Sequence, residues 1–247
     1  GSTGAAAGAG ARSGGACIGG LLRRVSGTAH APIVPICNCS TKGMPQVSDR
    51  DTELPIINIL GTLVALGPLR RELITSYNRW QNDFEVQRTF GDLPKAVTIE
   101  ETTAWYEGEA TATQALWFTI YEVRTWRPIG RTDLFELDWR NGTARFGMLI
   151  GEGDCRGKGY GTETARLMLD YAFTALGLQT VLLDVDEFNL AGRRAYEKAG
   201  FRECGRWRGA SPMPMSGRRW DRILMDCVAS EFESPVLGRV FAPDAGH

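Results

Sequence analysis

The sequence predicts a single α/β domain: a mixed sheet flanked by helices, behind a leader of different composition. Three observations predict it. From residue 55 onward, short runs rich in β-branched residues alternate with segments of helical period. Two of the helical segments stand between strands as βα units, which place strands side by side in one sheet. The chain is 43% hydrophobic and 23% charged, the balance of a soluble globular protein, and no apolar run reaches the length of a bilayer span.

The elements follow in order. Ile56–Ala65 is apolar and β-branched, a first strand, broken by Gly67-Pro68. Residues 71–90 read as helical, with Leu73, Tyr77 and Trp80 at helical spacing. Thr98 and Glu101 have capping-box spacing, so a second helix covers 98–109. Residues 116–124, 128–137 and 143–150 read as three strands, with Arg140-Asn141-Gly142 as a hairpin turn between the last two. An amphipathic helix then carries Ala165, Met168, Leu169, Ala172, Phe173 and Leu176 on one face and stops at Gly177. Residues 180–185 form a short strand that looks buried on both faces. Asn189 caps a helix ending at Gly200. A strand near 201–207, a Pro/Gly/Met loop at 209–217 and a last strand at 219–228 complete the domain.

Residues 1–43 stand apart. They are rich in glycine, hold Arg12, Arg23, Arg24 and Lys42, and contain no acidic residue. We read them as a low-complexity leader, tag-derived or targeting, with Met44 as a candidate natural start. The domain is read as 44–230, and 231–247 as an extended C-terminal tail. A net charge of −1 argues against a nucleic-acid partner. The two histidines, His30 and His247, all but exclude histidine-based catalysis or a histidine-ligated metal, and no metal is expected. The six cysteines show no CxxC pair, which points to reduced thiols and a cytoplasmic setting.

The chemistry is concentrated in Arg156-Gly157-Lys158-Gly159-Tyr160-Gly161, which joins a strand to a helix start. Small residues there let backbone N–H groups converge, and the helix N-terminus adds partial positive charge. By itself this is an anion site, and an ordinary tight connection has the same look. A P-loop would need Ser or Thr after Gly157-Lys158, where Gly159 stands. A dinucleotide fingerprint counted from Gly157 would need a small residue where Thr162 stands. Both fit poorly.

With Arg156, Gly159 and Gly161 in the pattern Arg/Gln-x-x-Gly-x-Gly/Ala, and Asn189, Tyr196 and Gly200-Phe201 some thirty residues later, the sequence resembles the GNAT superfamily of acyl-CoA-dependent N-acyltransferases. Residues 217–225 and 80–86 are similar to its RimJ/RimL-like branch, and the likeness spans roughly 56–228. The resemblance implies a central, mostly antiparallel mixed sheet. It also implies direct transfer of an acetyl or small acyl group from acetyl-CoA, or another acyl-CoA, to a primary amine. Arg156, Gly157, Lys158, Gly159, Tyr160, Gly161 and Thr162 would hold the diphosphate. The strand edge at Met148, Leu149 and Ile150 would pair with the pantetheine arm and supply oxyanion N–H groups. Asn189 would hold the arm, and equally serves as a helix cap. Tyr196 would protonate the leaving thiolate, against the plainer role of a core tyrosine.

The general base is less legible. Relatives carry a carboxylate in an Ala-Glu-x-Gly context, whereas this chain reads Ala144-Arg145-Phe146-Gly147. Arginine stays protonated and cannot act as a base. Asp83, Asp133, Asp184 or Asp186 could act through water, with Asp83 and Asp133 preferred, or the amine could arrive partly neutral. Arg145 would then recognise an acidic group or form a salt bridge. The acceptor is a small-molecule or peptide amine, with Met213–Met215 as an adjustable wall. No nucleic acid or membrane is implied, and a homodimer is among the states the sequence allows. The rival reading is a non-catalytic acyl-CoA-binding module.

Overall fold

The computed structural model describes residues 54–90, 95–212 and 217–241. Within them lie the strands β1 (Ile59–Leu60), β2 (Val64–Gly67), β3 (Leu116–Glu122), β4 (Pro128–Asp138), β5 (Thr143–Ile150), β6 (Thr180–Asp186), β7 (Arg202–Pro212) and β8 (Arg219–Val228). They form one sheet in the order β1-β2-β3-β4-β5-β6-β8-β7. Every pairing is antiparallel except β5 with β6. The helices are α1 (Ile74–Gln81), α2 (Phe84–Phe90), α3 (Ile99–Glu109), α4 (Tyr160–Asp170) and α5 (Leu190–Ala199). The sheet is therefore mixed and mostly antiparallel, as expected.

The period-two alternation of β5 divides the core. Ala144 and Phe146 face the main cluster with Leu167, Met168 and Phe201. Leu149 faces the other side, against Tyr77, Trp80 and Val86. Local chemistry sets the ends of elements. At α3 the Thr98 hydroxyl accepts from the Glu101 N–H while the Glu101 carboxylate accepts from the Thr98 N–H. The reciprocal pair satisfies donors that a helix start would otherwise leave open. Between β4 and β5, the Asp138 carboxylate accepts the Arg140 and Asn141 N–H groups, each at 3.0 Å, and Gly142 takes φ of 67°.

Several expectations need correction. The first strand is a hairpin: the chain turns at residues 61–63 and returns as β2. The helix expected over 71–90 is broken at Asn82 and Asp83, where the Asp83 carboxylate accepts the Glu85 N–H and opens α2. β6 is not buried on both faces, since Leu182 is 37% exposed. α4 continues as a single π-helical turn, Tyr171–Ala175, before Gly177 ends it at φ 70°. The segment from 231, expected as an extended tail, packs on the domain: Leu237 is buried, and Phe232 and Val236 pack beside it. The leader 1–43 and Met213–Met215 lie outside the described residues.

Candidate active site

Parallel pairing between β5 and β6 is confined to Thr143–Arg145 against Thr180–Leu182. Past that point β6 keeps only β8 as a partner, so the two strands part. A cavity of about 450 Å³ opens at the free end of β5. Its walls include Met148, Leu149 and Ile150, the turn residues Arg156, Gly157 and Gly159, and Gly161 and Thr162 in the first turn of α4. Asn189 and Tyr196 close it from α5. The structure thus gathers into one cavity ten residues read from the sequence as cofactor-binding.

The turn is built as an anion cradle requires. Gly157 and Gly159 hold φ of 74° and 87°, a region that side chains with a Cβ disfavour. Gly161 is small for a different reason: a Cβ there would come within 3.2 Å of the Met148 Cε. Gly159 precedes α4 without any side-chain cap, so the first N–H groups of the helix are left for a ligand. Arg156 stands at the turn, its guanidinium 3.7 Å from Glu85 on α2. An uncapped helix start, glycines without bulk and the Arg156 cation fit a diphosphate.

Asn189 and Tyr196 lie on the same face of α5, seven residues apart. The Asn189 Oδ1 accepts the Gly192 N–H at 2.9 Å, so its cap role is realised within the cavity wall. Tyr196 sits edge-on to Phe146 and close to Phe201, each centroid 6.0 Å away. Burial pushes its phenol up to about 12, so it keeps its proton at neutral pH.

Other expected residues fall elsewhere. Tyr160 is buried and its hydroxyl donates to the Glu122 carboxylate at 2.6 Å; its side chain does not line the cavity. The Lys158 side chain is also off the cavity wall. Asp83 is exposed, is committed to the start of α2, and is outside the cavity.

Asp133 lies on β4 opposite Gly147, 5% exposed, and is not part of the cavity wall itself. A Cβ on Gly147 would come within 2.5 Å of its Oδ1, so the carboxylate overlies bare backbone. Burial raises it to about 7, opposed by Arg131 and assisted by Glu109. Beside it, the Arg131 guanidinium stands over the Trp105 and Trp117 rings at 4.3 and 5.1 Å. Arg145, in the position where the family resemblance led to the expectation of a carboxylate, is ion-paired to Asp184, which also binds Arg222 at 3.1 Å. Asp186 accepts from Ser211 and faces Arg222 as well. Asp184 and Asp186 are therefore occupied in a charge ladder across β6 and β8.

The sequence did not assign the residues of α2, or Cys155, to the site. Val86, Thr89 and Phe90 line the cavity, and Asn189 Nδ2 reaches the Thr89 carbonyl at 3.5 Å. No local pattern marks them, because α2 is brought there by packing across a hundred residues. Ala191, Gly192 and Ala195 could have been found from the helical face of Asn189 and Tyr196. Among the described residues no cluster suited to a metal occurs, and no helix is long and apolar enough to cross a membrane.

Comparison with known proteins agrees with this fold. The family model of the acetyltransferase (GNAT) domain matches residues 64–202, and the chain belongs to that family. It is an N-acetyltransferase that takes its acetyl group from acetyl-CoA and passes it to an amine. The human alpha/beta-tubulin-N-acetyltransferase 9 is 29% identical over 161 residues, covering 59% of this chain and 75% of that one. The spermidine N(1)-acetyltransferase of Escherichia coli is 27% identical over 138 residues, covering 56% and 72%. In fold, the chain is similar to the Vibrio cholerae spermidine N-acetyltransferase solved with CoA and spermine. There the TM-score is 0.62 and the identity 23%, over 69% of this chain and 98% of that one.

Proposed function

We propose that the transfer is direct, within a ternary complex, and that the 156–161 turn carries the CoA diphosphate. The observation behind this reading is that the uncapped start of α4 opens into the same cavity as Tyr196. Arg156 and the α4 N–H groups bind the diphosphate, and the β5 edge at Met148–Ile150 receives the pantetheine arm as a strand would. Acetyl-CoA supplies an activated thioester carbonyl. Backbone N–H groups of that strand end meet the charge that develops on its oxygen. Tyr196, still protonated at neutral pH, gives its proton to the departing sulfur. Asp133, poised near 7, takes the amine proton through water over the Gly147 backbone. Asp83 has no part in this scheme.

Residues 217–225 and 80–86 favour a place in the RimJ/RimL-like branch. The acceptor is a primary amine of a polyamine or of a protein, the classes suggested by the relatives' names, and for a protein we take the N-terminus. Thiol release from acetyl-CoA, followed with spermidine and with a peptide bearing a free N-terminus, tests this. Amine-dependent release with acetylated product supports the reading, and no release with any primary amine contradicts it.

A further inference from the structure

The tip of the β1–β2 hairpin and the first turn of α4 are joined by one side chain that the reaction scheme does not use. Glu163 projects from α4 toward the hairpin, and its two carboxylate oxygens receive three consecutive backbone donors. The Thr62 N–H donates to Oε1 at 2.8 Å, and the Leu63 and Val64 N–H groups donate to Oε2 at 2.6 and 2.7 Å. Hydrogen bonds to an ionised acceptor are the stronger kind, and three from one turn make a closed nest around it. The fit is tight. A Cβ on Gly61 would come within 2.7 Å of the Val64 carbonyl oxygen and 3.0 Å of the Glu163 Cδ. The same tip leans on the cradle, with Leu63 Cδ1 3.5 Å from the place of a Cβ on Gly159.

We infer that Glu163 is a positioning residue for the donor. By fastening α4 to the hairpin, it holds the Gly159–Gly161 turn in its diphosphate-binding shape before acetyl-CoA arrives. Such pre-ordering removes an entropic cost that binding would otherwise carry. The inference rests on the assignment of the diphosphate to the 156–161 turn.

Removing a negative charge beside a diphosphate would by itself favour anion binding, so a loss of affinity discriminates the tether from a charge effect. Glu163→Gln keeps the size but leaves one acceptor oxygen and sets an amide donor against backbone donors. Gly61→Ala crowds the hairpin turn, pressing on the Val64 carbonyl and the Glu163 carboxylate and so disturbing their contact without altering charge. Steady-state rates are measured with acetyl-CoA and with S-acetylpantetheine, which lacks the diphosphate, with Arg156→Ala alongside. Both tether variants should lower kcat/KM for acetyl-CoA about tenfold, through KM, while that for S-acetylpantetheine stays within about twofold. Equal losses on both donors in either tether variant, or no loss on acetyl-CoA, would overturn the inference. If Arg156→Ala alone discriminates between the donors, the tether is refuted and the diphosphate assignment stands. If none of the three discriminates, the assignment itself fails.

Discussion

At the scale of single residues, the proposed scheme divides the labour between the protonation states of Asp133 and Tyr196. A base works deprotonated, so an aspartate raised to about 7 supports turnover above that pH and loses it as pH falls through it. We expect kcat/KM to rise with pH through about 7 and level off. Asp133→Asn should remove that limb and lower the plateau by roughly 10²-fold, read from initial rates in a constant-ionic-strength buffer series. The sequence named Asp133 and Asp83 on equal terms. Only packing separates them: one lies in a buried row beside Trp117 and Gly147, the other caps a helix in solvent. Arg145 was legible as an anomaly, but its partner Asp184 comes from the neighbouring strand and could not be read from β5 alone.

At the scale of elements, capping chemistry was readable and long-range tethering was not. The Thr98/Glu101 box and the Asn189 cap are local four-residue codes, and both form as expected. Thr98→Ala should destabilise the domain by about 1 kcal/mol, seen as a lower urea midpoint at unchanged slope. The β1–β2 hairpin escaped detection because its short turn, closed by the Gly61 N–H to the Val64 carbonyl at 2.9 Å, sits in an apolar run and takes its remaining donors' partner from Glu163, a hundred residues away. The α1–α2 break was hidden for a related reason. Helical periodicity continues through Asn82 and Asp83, while side-chain acceptors divert the backbone: Asn82 Oδ1 accepts the Val97 N–H and Asp83 Oδ1 that of Glu85.

At the scale of the whole molecule, the sheet is antiparallel except where the chain crosses over through α4, and the cavity opens beyond that parallel pairing, at the free end of β5. Alternating strand and helix patterns made the fold class legible. The mostly antiparallel pairing came with the family resemblance, strand order was not read, and the route of the C-terminal segment was misread. That segment completes the domain: the fully buried Asp170 accepts the Val236 and Leu237 N–H groups at 2.9 and 2.8 Å. A chain ending at Ser230 would leave this carboxylate without those donors and uncover the Leu237 site. We expect a loss on the order of 3 kcal/mol or more, measured as a fall in melting temperature.

The proposed chemistry requires that the cradle at Arg156–Gly161 and the acid at Tyr196 serve one bound acetyl-CoA. Its most direct test compares wild type with Tyr196→Phe in thiol release at saturating amine, with CoA affinity measured calorimetrically on the same samples. The expected result is a fall in kcat of about 10²-fold or more with CoA affinity held within about twofold. Undiminished turnover in the Tyr196→Phe variant would contradict it.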